Sequence, residues 1–190
     1  MFDRKQRILA AALACVTEHG LDACTIEMIR ERAGASIGSL YHHFGNKQRL
    51  FAALYLAGIE DYAACAERAL RAASSAEALV RSVVISYLQW VDANPDWARF
   101  LLDGRSRIEQ AGELKAALLE VNRRHQQCFD EQLQRLGADS LKSMPLECQR
   151  VLLFGPSHEL ARRWLAGRGP GQLLAWGEHL SSAAWLSLKA

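Results

Sequence analysis

Residues 25–47, TIEMIRERAGASIGSLYHHFGNK, constrain the fold more than any other stretch of this chain. The first part has apolar residues at the spacing of one helical face, namely Ile26, Ile29 and Ala33. Gly34 then allows a turn that other residues adopt only under strain. The second part repeats the helical spacing at Ile37, Leu40 and Phe44. Two short helices joined by a tight turn predict a helix-turn-helix, whose second helix enters the DNA major groove.

Hydroxyl side chains stand where the two short helices begin. Thr25 precedes the first helix as an N-cap, although Met28 three residues on excludes a capping box. Ser36 is placed to cap the second helix. With the apolar residues inward, the second helix is left with four outward positions: Gly38, Ser39, Tyr41 and His42.

This run resembles the N-terminal DNA-binding domain of the TetR family of bacterial transcriptional repressors. The resemblance covers about residues 1–60, and the matching residues are Thr25, Ile29, Ala33, Gly34, Ser36, Gly38, Leu40, Tyr41, His43, Phe44 and Lys47. It implies an all-α protein with two domains. We expect a three-helix DNA-binding domain over residues 1–48 and a helical domain for ligand binding and dimerisation over residues 49–190.

The expected DNA contacts come partly from the residues and partly from the resemblance. A side chain at Gly38 would hold the helix out of the groove, so we place Gly38 and Ser39 at base edges. Ile37 either packs inward or touches a thymine methyl group. The family resemblance assigns phosphate contacts to Thr25, Tyr41, His42 and Lys47, and the exposed hydroxyl of Ser36 is a further expected DNA contact. The stretch between Arg32 and Lys47 contains no charged residue, although Arg is the commonest reader of guanine.

Helical periodicity continues along the rest of the chain, interrupted by Gly, Pro and Ser. Together with the two short helices we expect nine helices, the others covering residues 4–19, 47–73, 76–94, 96–103, 113–136, 146–165 and 172–188. The polar residues 104–112 indicate a loop or a frayed turn, Gly20 indicates a helix end, and Pro156 indicates a kink within the helix over residues 146–165. No segment alternates as a strand would. Near the N-terminus Arg4, Lys5 and Arg7 either reach phosphates or form a solvated face.

Composition gives limited further support. The net charge is +2, and the whole surplus lies in residues 1–50, which hold seven Lys/Arg and five Asp/Glu. No uncharged apolar run is long enough for a membrane span, and the N-terminus lacks a signal peptide, so we expect a cytoplasmic protein. The five cysteines are widely spaced without a CxxC pair, which favours buried reduced thiols over a redox switch.

The family resemblance implies a small-molecule pocket in the second domain. Candidate apolar walls are Trp90, Trp97, Phe100, Phe129 and Phe154, with His125 and His158 as polar anchors. Each of these residues is equally compatible with an ordinary core. The resemblance also assigns the dimer interface to the last two helices, with a stripe of Leu173, Gly177, Leu180, Ala184 and Leu188. A core helix has the same pattern.

These observations predict a repressor that binds a near-palindromic operator as a homodimer and is released by a small hydrophobic effector. One alternative is a regulator without a small-molecule ligand, controlled by a partner protein or constitutive. A helical enzyme is the remote alternative, because the chain has no HExxH, no GxSxG and no glycine-rich phosphate loop. Cys128 and His125 lie one helical turn apart, but no further metal ligand has suitable spacing. We therefore expect no catalytic residue, no metal and no cofactor.

Overall fold

A computed structural model describes residues 3–108, 112–169 and 171–190 of the chain. This part of the chain forms nine α-helices: α1 (Arg4–Ala23), α2 (Ile26–Ala33), α3 (Ile37–Phe44), α4 (Lys47–Ala72), α5 (Ala76–Ala93), α6 (Pro95–Ile108), α7 (Gly112–Gly137), α8 (Leu146–Leu165) and α9 (Gly177–Leu188). Short 3-10 turns cover Ala138–Ser140 and Leu173–Trp176, and Leu141 pairs with Lys189 in an isolated antiparallel bridge. The all-α prediction is confirmed.

Several predicted boundaries need correction. α1 continues to Ala23 past Gly20, whose φ of 80° produces a kink within the helix. α6 extends to Ile108, so residues 104–108 of the predicted loop are helical, and residues 109–111 lie outside the described part. The bounds predicted for α8 are confirmed, and the helix continues through Pro156 because one missing backbone donor is not enough to end it. The final α-helix begins at Gly177, because the residues before it form a 3-10 turn.

The chain divides into two compact units. The head unit comprises Met1–Glu60 and Asp96–Glu120, and the body unit comprises Asp61–Pro95 and Val121–Ala190. α4 contributes its first half to the head unit and its second half to the body unit. None of the helices in the described residues has an apolar stretch long enough to cross a membrane.

The core of the head unit is built from the inward faces of its helices. Its fully buried side chains include Ile8, Ala12, Cys24, Ile29, Leu40, Leu50 and Leu54. Replacing a buried leucine of this kind with alanine typically lowers the free energy of unfolding by about 2–5 kcal/mol. Gly58 permits close packing of α4 on α6, because a Cβ there would lie 2.6 Å from a ring atom of Trp97.

In the body unit α5 is the central helix and packs against α8 and α9. Ten of its residues are buried, which explains why its apolar residues are not confined to one stripe. Ser75 caps α5, since its hydroxyl oxygen accepts a hydrogen bond from the Ala78 N–H at 3.1 Å. Such a cap contributes about 1 kcal/mol.

Candidate nucleic-acid interface and body cavity

The two predicted N-caps of the helix-turn-helix are present. The Thr25 Oγ1 atom accepts a hydrogen bond from the Met28 N–H at 3.2 Å, and Ser36 Oγ accepts one from the Ser39 N–H at 3.1 Å. Thr25 and Ser36 are both exposed. Because each hydroxyl acts as an acceptor in the cap, its own hydrogen remains able to donate to a phosphate oxygen.

Arg7 stabilises the turn between α2 and α3. Its Nη2 atom donates to the carbonyl oxygen of Ala33 at 3.0 Å, which satisfies a carbonyl at the end of α2. The next residue, Gly34, has φ 59°, a conformation that favours glycine. The contact assigns Arg7 a structural role, although its side chain is exposed like those of Arg4 and Lys5 at the start of α1.

A second contact joins α1 to α2. Arg32 Nη2 donates to Glu18 Oε1 at 2.6 Å, and Arg32 Nη1 lies 3.9 Å from the Cys15 sulfur. The hydrogen bond from Arg32 lowers the pKa of Glu18 and raises the pKa of Arg32. Both charges are partly exposed, so the pair orients α2 more than it stabilises the fold.

The outward face of α3 is uncharged and shaped for close approach. Ile37 is 47% exposed and Tyr41 is 50% exposed, while Leu40 and Phe44 are buried beneath them. The structure therefore answers the question that the sequence left open, since Ile37 points away from the core. A Cβ built on Gly38 meets no atom within 4 Å, so the protein itself imposes no need for glycine there.

The remaining predicted DNA contacts surround this face. His42 is exposed and Ser39 is half-buried. Lys47, at the start of α4, is half-buried with its Nζ atom 5.5 Å from the ring centroid of Phe51. All eight predicted DNA-binding residues thus belong to the head unit.

The predicted pocket residues fall into three places. His125, Phe129 and Phe154 line a cavity of about 20 Å³ in the body unit, which is room for about one water molecule. Trp90 and His158 also belong to the body unit. Trp97 and Phe100 lie in the head unit, where Phe100 is buried and its ring lies 6.2 Å from that of Tyr55.

Six rings form an aromatic cluster in the body unit: Tyr62, Tyr87, Trp90, His125, Phe154 and His158. Two of its buried atoms, Tyr62 Oη and His125 Nδ1, have no hydrogen-bond partner among the described residues. Burial raises the pKa of Tyr62 well above its ordinary value and that of Tyr87 to about 12. Burial also lowers the pKa of His125, which favours the neutral form of its ring.

Sequence analysis did not single out Tyr62. Its position on α4, next to exposed Glu60 and Asp61, gives no sign that its hydroxyl is buried. The described residues contain no group of three or more His, Cys, Asp or Glu side chains placed to hold a metal ion.

The stripe predicted for the dimer interface belongs instead to the chain's own core. Leu173, Gly177, Ala184 and Leu188 are buried in the body unit and Leu180 is half-buried, because α9 turns this face toward α5. The four buried residues are therefore not exposed for contact with a second copy, and Leu180 is only partly exposed. Five large apolar side chains of α8, the 3-10 turn and α9 are exposed: Leu146, Val151, Leu174, Trp176 and Leu186.

Comparison with known proteins agrees with this geometry. Residues 8–54 match the family model described as "Bacterial regulatory proteins, tetR family". The chain is 30% identical over 178 residues to the HTH-type transcriptional repressor Rv1474c of Mycobacterium tuberculosis, covering 90% of this chain and 88% of that protein. It is 29% identical over 130 residues to the repressor AcnR of Corynebacterium efficiens, covering 67% of this chain and 60% of AcnR.

Two solved structures show the same fold. A TetR family transcription regulator from Marinobacter aquaeolei superposes with a TM-score of 0.80 at 19% identity, covering 98% of this chain and 95% of the other. FadR from Bacillus subtilis, in complex with stearoyl-CoA, superposes with a TM-score of 0.75 at 17% identity, covering 94% and 96%.

Proposed function

Because this chain belongs to the TetR family of bacterial regulatory proteins, we propose that it is a dimeric repressor released from its operator by a small molecule. Family membership makes it a transcriptional regulator with a helix-turn-helix. Repression is supported by the relatives Rv1474c and AcnR, both of which are described as transcriptional repressors. As a DNA-binding regulator it would act in the cytoplasm, where bacterial operators are found.

The observation that carries this proposal is the uncharged, exposed face of α3 on a rigidly capped helix-turn-helix. Gly38 and Ser39 would lie against base edges, with Ile37 against a thymine methyl group. Phosphate contacts would come from the surrounding residues, namely Thr25, Ser36, Tyr41, His42 and Lys47. Specificity would then rest on close fit and apolar contact, since no Arg on α3 reads guanine.

Dimerisation would place two such helices about 34–36 Å apart on a near-palindromic site. We assign the interface to the outer faces of α8 and α9, where Val151, Leu174, Trp176 and Leu186 are exposed. Large exposed apolar side chains grouped on neighbouring elements mark interaction surfaces.

The effector would bind in the body unit and favour a state that does not fit the operator. Release then follows from its differential affinity for the two states. The stearoyl-CoA complex of FadR supports a hydrophobic effector for proteins of this fold. A regulator without an effector is the second candidate, and the cavity volume of about 20 Å³ favours it.

Fluorescence anisotropy with the DNA immediately upstream of the protein's own gene tests the proposal. We expect tight binding that weakens with added salt, because phosphate contacts depend on salt concentration. Binding should survive excess competitor DNA, because DNA of random sequence does not offer the same base contacts. Equal affinity for the upstream and competitor DNA would contradict operator recognition at that site.

A further inference from the structure

The strongest indication of a ligand in this chain is a pair of buried polar atoms that lack partners. In the part of the chain that the structure describes, these are Tyr62 Oη on α4 and His125 Nδ1 on α7. Buried polar atoms in native proteins almost always have a hydrogen-bond partner, so an orphaned pair points to a bound water, ion or ligand.

The two orphaned groups are neighbours. Their ring centroids lie 6.3 Å apart, and the ring of Tyr62 also lies 5.6 Å from those of Tyr87 and Trp90. His125 in addition lines the 20 Å³ cavity, whose other walls include Val83, Leu153 and Phe154. The orphaned atoms therefore belong to an apolar, aromatic part of the body unit.

The charged groups described around them already have an ion-pair or hydrogen-bond partner. Glu67 Oε1 accepts a hydrogen bond from Arg124 Nε at 3.0 Å, and Arg150 at the cavity pairs with Glu147 at 3.1 Å. Asp61 accepts a hydrogen bond from the Trp90 indole N–H at 2.7 Å. A charged ligand group would lose its hydration here without gaining an opposite charge.

A larger groove in the body unit gives no comparable indication. It has a volume of about 410 Å³ and opens to solvent beside α5. Apart from Gln89, which is exposed, the polar side chains that line it have partners: for example, Ser82 Oγ donates to the Leu79 carbonyl at 2.7 Å, and Arg81 bonds to Glu178 and Ser182. The groove thus contains no buried polar side chain that lacks a partner.

We propose that Tyr62 and His125 recognise an uncharged carbonyl or hydroxyl oxygen carried by an otherwise apolar effector. The phenol can donate or accept a hydrogen bond, and a neutral imidazole nitrogen does one or the other according to its tautomer. The aromatic rings and cavity walls would cover the apolar part. This inference rests on the proposed release by an effector, and it requires the walls of the cavity to move apart on binding.

Isothermal titration calorimetry with four probes that share a ten-carbon chain tests this chemistry. The uncharged probes are 2-decanone and 1-decanol, and the charged ones are decanoate and decyltrimethylammonium. We expect the uncharged probes to bind the wild-type protein, and the charged probes to bind about tenfold more weakly or not at all. The full-length protein is used throughout, without DNA.

Tyr62→Phe removes one orphaned atom and shows whether that atom contacts the ligand or only supports the fold. We expect its affinity for 2-decanone to fall roughly five- to tenfold, the usual effect of losing one hydrogen bond. Its Tm should stay level or rise, because an unpaired hydroxyl is removed. Tyr55→Phe is the matched control, since it makes the same change in a buried ring of the head unit and should keep the wild-type affinity for 2-decanone.

Three results would overturn the inference: no binding of either uncharged probe, tighter binding of decanoate, or equal affinity of Tyr62→Phe for 2-decanone. A lower Tm with unchanged affinity would mean that an ordered water satisfies the phenol. The operator titration is independent of these measurements. Specific DNA binding without probe binding would remove this inference and leave the repressor, whereas probe binding without operator binding would do the reverse.

Discussion

In the head unit, the fold requires glycine at some positions, whereas at one position the proposed DNA contact is the better explanation. Gly34 needs glycine because its φ is 59°, and Gly58 needs it because Trp97 occupies the space of a Cβ. Gly38 has neither reason, since open space surrounds its Cβ position. A glycine without a structural reason on an exposed helix face is best explained by what approaches that face.

Replacing Gly38 should therefore damage DNA binding without damaging the fold. Gly38→Ala should weaken operator binding and Gly38→Leu should abolish it, while the helical circular-dichroism signal and Tm are kept. Glycine is a poor helix former, so Tm should hold or rise slightly. Gly155→Ala is the control, because its new Cβ would meet only Val151 Cγ1 at 3.8 Å. Unchanged operator affinity in Gly38→Leu would show that another face of α3 meets DNA.

Because of His125, the stability of the folded protein should fall in mild acid. Its pKa in the folded protein is lowered from 6.5, chiefly by burial, with Glu67 opposing and Arg124 adding to the shift. Below pH 6.5 the unfolded chain therefore binds a proton that the native ring does not, and stability falls as pH decreases toward the folded pKa. Above about pH 7 this contribution disappears.

Thermal unfolding between pH 7.5 and 5.5 measures the effect. We expect the fall in Tm over this range to be smaller in His125→Phe than in the wild type. His179→Phe, a change at an exposed histidine of α9, should leave the wild-type slope. Identical slopes in all three proteins would show that the native His125 ring takes up its proton as readily as the unfolded chain does.

At the level of helices, α1 determines how α2 and the turn are held. Arg7 satisfies the carbonyl at the end of α2, and Arg32 of α2 pairs with Glu18 of α1. Both contacts join residues distant in the chain. Of the three exposed cations near the N-terminus of α1, Arg7 supports the turn, and Arg4 and Lys5 lie at the start of the helix.

Arg7→Met should therefore affect the stability of the fold, whereas Lys5→Met should affect the salt dependence of DNA binding. Arg7→Met leaves the Ala33 carbonyl without its partner, so we expect a loss of roughly 1 kcal/mol in unfolding free energy and weaker DNA binding at every salt concentration. Lys5→Met should keep its stability but reduce the slope of log affinity against log salt by about 1, if Lys5 contacts a phosphate. Urea unfolding and anisotropy at several salt concentrations distinguish them, and a reduced slope for Arg7→Met alone would reverse the assignment.

For the whole molecule the central question is which surface joins two copies. The inward face of α9 is used by the chain's own core, which leaves the outer apolar residues for a partner. The side chains of Leu186 in α9 and Leu119 in α7 are exposed to a similar degree, 58% and 60%. They differ in location, since Leu119 belongs to the head unit and Leu186 to the body unit.

Leu186→Glu should shift the protein from dimer to monomer in sedimentation velocity and weaken operator binding at least about tenfold, because a buried unpaired charge is strongly unfavourable at an interface. Leu119→Glu makes the same change on a similarly exposed leucine and should remain dimeric. A wild-type protein that sediments as a monomer at micromolar concentration would contradict the dimer itself. A dimeric Leu186→Glu would move the interface elsewhere.

Local signals in the chain were sufficient for most of the secondary structure and for the helix-turn-helix. Apolar spacing, the hydroxyl caps at Thr25 and Ser36, and glycine at Gly34 act over three or four residues, so they can be read without a partner. The same signals misjudged where α6 ends and where α9 begins, because helix ends depend on what the last turn packs against.

Tertiary contacts determined which face of each helix packs in the core and which face stays exposed. The stripe of α9 looked equally suited to a dimer or a core, and packing on α5 assigned it to the core. Trp97 and Phe100 were grouped with Trp90 by residue type, yet they belong to the head unit. Tyr62 carried no signal at all. Burial and unmet hydrogen bonds are properties of neighbours brought together by folding, and a periodic pattern specifies a face without specifying its partner.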